Sequence, residues 1–222
     1  LLPKQLIIDN TENITDLFEK AGFIKPMQEK IVFQERFDIF FVSFNEPNAD
    51  KHWEILRSRF PQAKRVHGII GIDNAHKACA RMSTTNMFWT IDGDTVIDEN
   101  FLLDYNPSIH DRNYIHIWLS RNPVNGLEYG YGAIKLWPKS KVEEYDGSWL
   151  DYTISVGQIK IINQTVATTY FNSSPFESWK SAFRECVKLV RNIKTNPDDT
   201  ESKTRLDTWM KVKNDVPFAD WC

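Results

Sequence analysis

The order of elements in this chain predicts an α/β fold, a sheet flanked by helices and folded as one domain. Three observations carry that expectation. Strand-like segments recur at residues 38–44, 64–69 and 86–91, the first and third of them strongly apolar, and segments with helical spacing of apolar residues separate them at 49–60 and 75–82. The third run stops on Asp92-Gly93-Asp94, two carboxylates at the carboxyl end of a strand. Strand alternating with helix is the order of a doubly wound sheet, whose ligands bind outside the carboxyl ends of its strands. With 222 residues, of which 41% are hydrophobic, the chain is long enough for one such domain with short extensions.

Taken in order, residues 11–22 read as a capped helix. Thr11 or Asn13 accepts backbone N–H groups, Ile14, Leu17 and Phe18 form a stripe, and Gly22 stops it. This helix belongs to an N-terminal extension, 1–36. Residues 38–44 are almost continuously apolar, as suits a central strand covered on both faces. The turn Asn45-Glu46-Pro47-Asn48 leads into a helix over 49–60, with Trp53, Leu56 and Phe60 on one side and Pro61 as its end. A short strand at 64–69 precedes a helix over 75–82, for which Asp73 or Asn74 is the cap. Beyond the acid pair the pattern predicts a helical turn at 97–103, a strand at 114–119 and a glycine-interrupted strand at 129–137. Further strands are expected at 158–162 and 166–171. Pro175 opens a helix to 193, and after the polar linker 195–200 a last helix runs to 213. The chain thus divides into a first half at 37–104, a second half at 105–194 and a C-terminal helical segment at 195–222.

Composition removes several classes of function. The formal charge of −3 gives no overall field that attracts nucleic acid, and the longest strongly apolar stretch, 37–44, is far short of a membrane span. No membrane partner and no obligate protein partner are expected. Cys79, Cys186 and Cys222 are odd in number and far apart, against both a disulfide framework and a zinc site. Reduced thiols and a cytoplasmic setting are the expectation, so the Asn-x-Ser/Thr matches at Asn13, Asn163 and Asn172 read as chance. The chain opens Leu1-Leu2-Pro3-Lys4, without Met or a charged-then-apolar leader, as an excised segment does.

Paired aspartates where a buried strand ends are a seat for a divalent cation. Magnesium and manganese take carboxylate oxygens and keep positions open for substrate phosphates. Asp-Gly is equally a common turn, so the setting has to decide. Ser43-Phe44-Asn45-Glu46 after the first strand, then Gly71-Ile72-Asp73-Asn74-Ala75-His76-Lys77-Ala78, then Phe88-Trp89-Thr90-Ile91-Asp92-Gly93-Asp94, resembles the nucleotide-sugar half of glycosyltransferases with the GT-A fold. The resemblance covers roughly residues 38–180. It implies a Rossmann-like mixed sheet flanked by helices, a nucleoside-diphosphate sugar (a UDP-sugar foremost) as donor, and Mn2+ or Mg2+ as cofactor. By the same resemblance Ser43, Phe44 and Glu46 lie near the base, and Asp73 and Asn74 near base or ribose. Asp92 would point to ribose or metal, Gly93 would belong with the nucleotide-sugar-binding residues, and Asp94 would bind metal. Helix capping is the plain alternative for Asp73 and Asn74, and a place in the core the plain alternative for Phe44. Such transferases often add a late histidine as third metal ligand. The histidines here are His52, His67, His76, His110 and His116, and none follows the strands of the second half.

An inverting transferase also needs a carboxylate to take the acceptor's proton. Glu177, in Ser174-Pro175-Phe176-Glu177-Ser178-Trp179, and Asp151, beside Gly147-Ser148-Trp149-Leu150, are the candidates. Asp146 belongs with the second set. On the acceptor side, Gly132 in Gly130-Tyr131-Gly132 admits close backbone approach, and Trp149 and Trp179 offer faces to a sugar ring. Lys180, Arg184, Lys188 and Arg191 share one face of the 175–193 helix, and Phe176, Phe183, Val187 and Val190 share another. The basic face is either solvated or a contact to phosphates. The stretch from Ser174 to Glu185 is similar to a segment of glycosyltransferase-like proteins of large tailed phages. That similarity adds a hydroxymethylated DNA base to the acceptor hydroxyls considered, and a host cytoplasm to the setting. A nucleotidyltransferase, or a non-catalytic module binding DNA or glycan, is the competing class.

Overall fold

Residues Asp38–Ser43 form the first strand, β1, because Ile39, Phe40 and Phe41 are covered on both faces. A computed structural model of the chain describes residues 22, 35–130, 132–147, 152–212 and 215–222. Chain contacts divide between Glu35 and Arg36, and the fold set out here is that of Arg36–Cys222. The helix expected at 11–22 lies outside the described residues, as do Tyr131, Trp149 and Asp151.

After β1 come helix α1 (Ala49–Arg59), β2 (Lys64–His67), helix α2 (Ile72–Met82) and β3 (Met87–Asp92). β1 lies between β2 and β3 and is parallel to both. The second half supplies β4 (Thr95–Ile97), β5 (Ile115–Arg121), β6 (Glu128–Tyr129), β7 (Ile134–Pro138) and β8 (Ile159–Thr169). Its helices are α3 (Lys139–Glu144), α4 (Tyr152–Val156), α5 (Pro175–Thr195) and α6 (Thr200–Met210), followed by a 3-10 turn at Ala219–Trp221. The sheet runs β2-β1-β3-β7-β5-β8-β4, with β6 against the side of β5. β7 is antiparallel to β3 and β5, β8 parallel to β5, and β4 antiparallel to β8. This is the expected α/β architecture, a mixed sheet flanked by helices.

Strand periodicity sorts the core into two faces. Ile39, Phe41, Trp89 and Ile91 pack on one side with Phe101 and Trp118, whereas Phe40, Phe88 and Trp137 pack on the other with Val66 and Cys79. A third cluster, built on Phe171, Ala182, Leu189 and Trp209, holds α5 and α6. No described helix is long and apolar enough to cross a membrane.

Three local expectations change. The segment 98–103 is not a helical turn; Arg59 donates to the carbonyls of Ile97, Glu99 and Phe101 at 3.0, 2.8 and 2.9 Å, which satisfies them without helical bonds. The two strands expected at 158–162 and 166–171 are one, β8. Its pairing to β5 jumps from Trp118↔Ile162 to Leu119↔Thr165, so Asn163 and Gln164 bulge out of the ladder. The strand expected at 129–137 is split into β6 and β7 by a turn in which Gly132 takes φ 75°. On α5, Ser174 Oγ accepts the Glu177 N–H at 3.2 Å and Pro175 starts the helix, as the sequence suggests. The buried face, however, is Ser178, Ala182 and Leu189, while Phe176, Phe183 and Val187 remain more than half exposed. Small residues let the helix approach the Phe171–Trp209 cluster closely, which larger ones would prevent.

Candidate functional site

β3 ends on Asp92, whose N–H donates to the Ala133 carbonyl at 3.0 Å. Two residues on, the Asp94 carbonyl accepts the Tyr170 N–H at 2.6 Å, just past the end of β8. Thr95 Oγ1 lies 3.2 Å from Asp94 Oδ1 and 3.3 Å from Thr169 Oγ1, and Thr169 Oγ1 lies 2.7 Å from Ser120 Oγ. A chain of hydroxyls therefore orients the Asp94 carboxyl: the regular pairing of β4 with β8 sets Thr169 opposite Thr95, and the shifted register of β8 on β5 leaves it beside Ser120.

Between the aspartates Gly93 is required by space. A Cβ there would stand 2.7 Å from Glu46 Oε2 and 2.9 Å from Ser43 Cβ. The ends of β1 and β3 thus touch, and the same Glu46 carboxylate accepts the Phe44 N–H at 2.8 Å. Beneath them His52, buried on α1, donates Nδ1–H to the Gly93 carbonyl at 3.0 Å. Burial, with Lys51 nearby, lowers the pKa of His52, so the ring is a neutral prop. Gly93→Ala is expected to destabilise by about 1–3 kcal/mol, since Ser43 Cβ is anchored to the strand and cannot swing away. Chemical denaturation of the variant measures this; a midpoint equal to wild type would refute the contact.

Negative charge accumulates here. Burial raises the pKa of Asp92, Lys135 lowers it and Glu46 raises it further. Asp94 is pushed up to about 7, first by burial and then by Asp92 and Glu46. The counter-charge, Lys135 on β7, is buried with its Nζ 5.5 Å from the Trp137 ring centre. Gly132 makes room for it, since a Cβ there would meet Lys135 Cε at 2.7 Å.

The acid pair borders two clefts. One, of about 370 Å3, runs toward β1 and α2 and includes Ser43, Phe44, Glu46, Ile70 and His76. His76 is held well below its usual range, at about 3, by burial and by Lys135, and is neutral. The other, of about 170 Å3, runs toward α5 and includes Tyr129, Thr169, Ser181, Arg184 and Lys188.

The structure thus brings together Ser43, Phe44, Glu46, Asp92, Gly93 and Asp94. Phe44 is 47% exposed at the first cleft, not a core residue. Asp73 and Asn74 are not the cap of α2: Gly71, at φ 91°, holds that place, and Asn74 Nδ2 donates back to the Ile70 carbonyl at 3.0 Å. Neither borders the first cleft. Glu177 pairs with Lys180, and Trp179 stacks on Phe183 at 5.4 Å; neither borders the clefts at the acid pair. Sequence reasoning did not single out Lys135 or Glu185. It read Arg184 and Lys188 as part of a basic face, either solvated or in contact with phosphates, but the repeat of four does not place that face beside the acid pair.

Among the described residues no group of three or more His, Cys, Asp or Glu side chains is arranged to hold a metal. The available donors are the two aspartates, both oxygen ligands suited to Mg2+ or Mn2+, with Glu46 behind Gly93. Burial pushes the Cys79 thiol up to about 12, which makes it inert.

No family model matches the chain, and no curated protein matches it. Among solved structures, HddC from Yersinia pseudotuberculosis aligns at a TM-score of 0.43 and 12% identity, over 65% of this chain and 97% of that one. A glycosyltransferase involved in the glycosylation of the major capsid of PBCV-1 aligns at 0.38 and 10%, over 60% and 94%. A Bacillus anthracis protein assigned as a glucose-1-phosphate thymidylyltransferase, in complex with a sucrose, aligns at 0.37 and 14%, over 57% and 68%. Alignments this loose transfer no residue role.

Proposed function

We propose that the chain is a metal-dependent glycosyltransferase that moves a hexosyl or pentosyl group from a nucleoside-diphosphate donor, a UDP-sugar foremost, to a hydroxyl acceptor. The observation that carries this reading is the acid pair at the carboxyl edge of the sheet, where two clefts meet. A cleft on the β1 side, with Phe44 and Ile70 as apolar walls and Ser43 and Glu46 as polar points, suits a nucleoside. Asp92 and Asp94 would hold Mn2+ or Mg2+, which when bound supplies Lewis-acid stabilisation of negative charge on the departing diphosphate. Arg184 and Lys188 line the other cleft, toward α5, which the acid pair also borders, and from that side would add fixed positive charge toward the same phosphates.

In the transfer the acceptor oxygen forms a bond to the anomeric carbon, the bond from that carbon to the diphosphate oxygen breaks, and its electron pair leaves with the nucleoside diphosphate. For an inverting reaction the acceptor proton passes to a carboxylate. Glu177 and Asp151 are the sequence candidates, and the ion pair of Glu177 with Lys180 weighs against it as that base. For the acceptor, a hydroxymethylated DNA base is the option added by the phage resemblance, with the basic side of α5 as its support.

Titration calorimetry tests the reading. UDP is expected to bind with Mn2+ present and to lose that affinity when EDTA removes the metal; folded protein that binds no UDP under either condition sinks it. Slow release of UDP from a UDP-sugar distinguishes a transferase from a nucleotidyltransferase. Salt-dependent DNA binding without nucleotide binding would instead mark a non-catalytic module.

A further inference from the structure

Beyond the acid pair, the cleft toward α5 continues into a larger one of about 520 Å3, and the two share Tyr129, Glu185 and Lys188. A cavity of that size is within the range of about 300–1,000 Å3 typical of ligand sites. We infer that this cleft is the acceptor site and that the acceptor is an uncharged polyhydroxyl compound, a carbohydrate, rather than DNA. The inference rests on the glycosyltransferase reading above. With the nucleoside placed on the β1 side of Asp92 and Asp94, the acceptor hydroxyl reaches the same centre from the α5 side.

Charge in the cleft selects the class. Glu128, Glu185 and Glu201 contribute carboxylates, and Arg205 and Lys188 contribute cations. Arg205 is already engaged: it is paired with Glu185, lies 3.5 Å from Glu201, and its guanidinium sits 3.8 Å from the centre of the Tyr129 ring. Glu128 takes Arg121 Nε at 3.1 Å and the Thr165 hydroxyl at 2.8 Å, which fixes its carboxylate in place. Lys188 is thus the lining cation with no carboxylate partner among the described residues. A phosphodiester backbone gains affinity by gathering several unengaged cations; here Arg205 and Arg121 are taken up by the three carboxylates, and the lining offers Lys188 alone, with Arg184 in the adjoining cleft. For a polyol the same lining is favourable, because carboxylate oxygens accept hydroxyl hydrogens and carboxamides both donate and accept.

Two carboxamides are placed for this. Asn163 stands in the bulge of β8, outside the strand ladder and exposed. Asn192, exposed on α5, makes a long 3.4 Å contact to Ser202 Oγ. Leu119, Ile161 and Leu189 complete the cleft with apolar surface for the C–H faces of a sugar ring.

The test measures UDP release with Mn2+ from UDP-glucose, UDP-galactose and UDP-N-acetylglucosamine in turn. Neutral methyl glycosides and disaccharides are added in one arm, and duplex DNA bearing 5-hydroxymethylcytosine in the other. A neutral glycoside is expected to accelerate UDP release and to appear as a glycosylated product. Asn163→Ala and Asn192→Ala should each raise its KM by about 3- to 10-fold, the worth of one hydrogen bond, with UDP affinity unchanged. Acceleration by the DNA alone would overturn the inference. So would UDP binding that no glycoside converts to turnover, or unchanged KM in both variants; in either case the transferase reading survives. Failure of the wild type to bind UDP removes that reading, and this inference with it.

Discussion

Asp94→Asn is expected to abolish metal-linked UDP binding, with a loss of about 100-fold or more, in line with the removal of one charge-stabilising group from a preorganised site. The substitution keeps size and a hydrogen-bonding oxygen, so Thr95 Oγ1, 3.2 Å from Asp94 Oδ1, retains a partner. What disappears is the anionic oxygen. Stability should move the other way, and the sign follows from linkage. In the metal-free fold Asp94 is raised to about 7 from an ordinary 3.8, so the folded state holds a proton that the unfolded state has released. Stability of wild type therefore falls as pH rises through that window. Asparagine carries no such penalty, and at pH 8 without metal the variant should melt at or above the wild-type temperature. Calorimetry with Mn2+ and UDP, alongside thermal unfolding at pH 5 and pH 8, reads both effects. Tight metal-linked UDP binding by a folded variant would show that the aspartate is only part of a turn.

Trp89→Ala should produce the largest loss of stability, about 3–5 kcal/mol. Trp89 is fully buried on β3, with its ring centre 4.7 Å from that of Trp118 and 6.0 Å from that of Phe101. Those partners come from β5 and from the segment held by Arg59, so truncation opens a cavity where three elements meet. Trp89→Phe should cost much less, because it keeps most of the ring and deletes an indole N–H that has no hydrogen-bond partner. Urea denaturation separates the two. Comparable losses in both variants would mean that the indole's shape, not its burial, is what the core requires.

How much of the site could be read in advance depended on sequence distance. Asp92 and Asp94 stood out because a strand that ends on acids is a local pattern, whereas Ser43 and Glu46 were reached only through the resemblance of their segment to the nucleotide-sugar half of GT-A glycosyltransferases. Phe44 had two readings, base-side and core, because an aromatic after a buried strand does not declare which side of the turn it leaves by; its exposure removes the core reading. Asp73 and Asn74 were plausible caps by residue type, but Gly71 at φ 91° takes that place and turns their side chains back on itself. On α5 the helical spacing separated a basic from an apolar side but did not say which residues are buried, and Ser178 and Ala182 are what the neighbouring cluster admits.

By itself the sequence determined the alternation of strands and helices, the α/β class, and the carboxylates at the edge of the third strand. All are set by periodicity and residue type within a few neighbours. Only the tertiary structure decided that Arg59 replaces a helical turn, that β8 sets Thr169 opposite Thr95, and that Arg184 and Lys188 share a cleft with the acid pair. Those outcomes depend on how separately formed elements pack, and close packing of side chains from distant parts of the chain leaves no trace in local propensity.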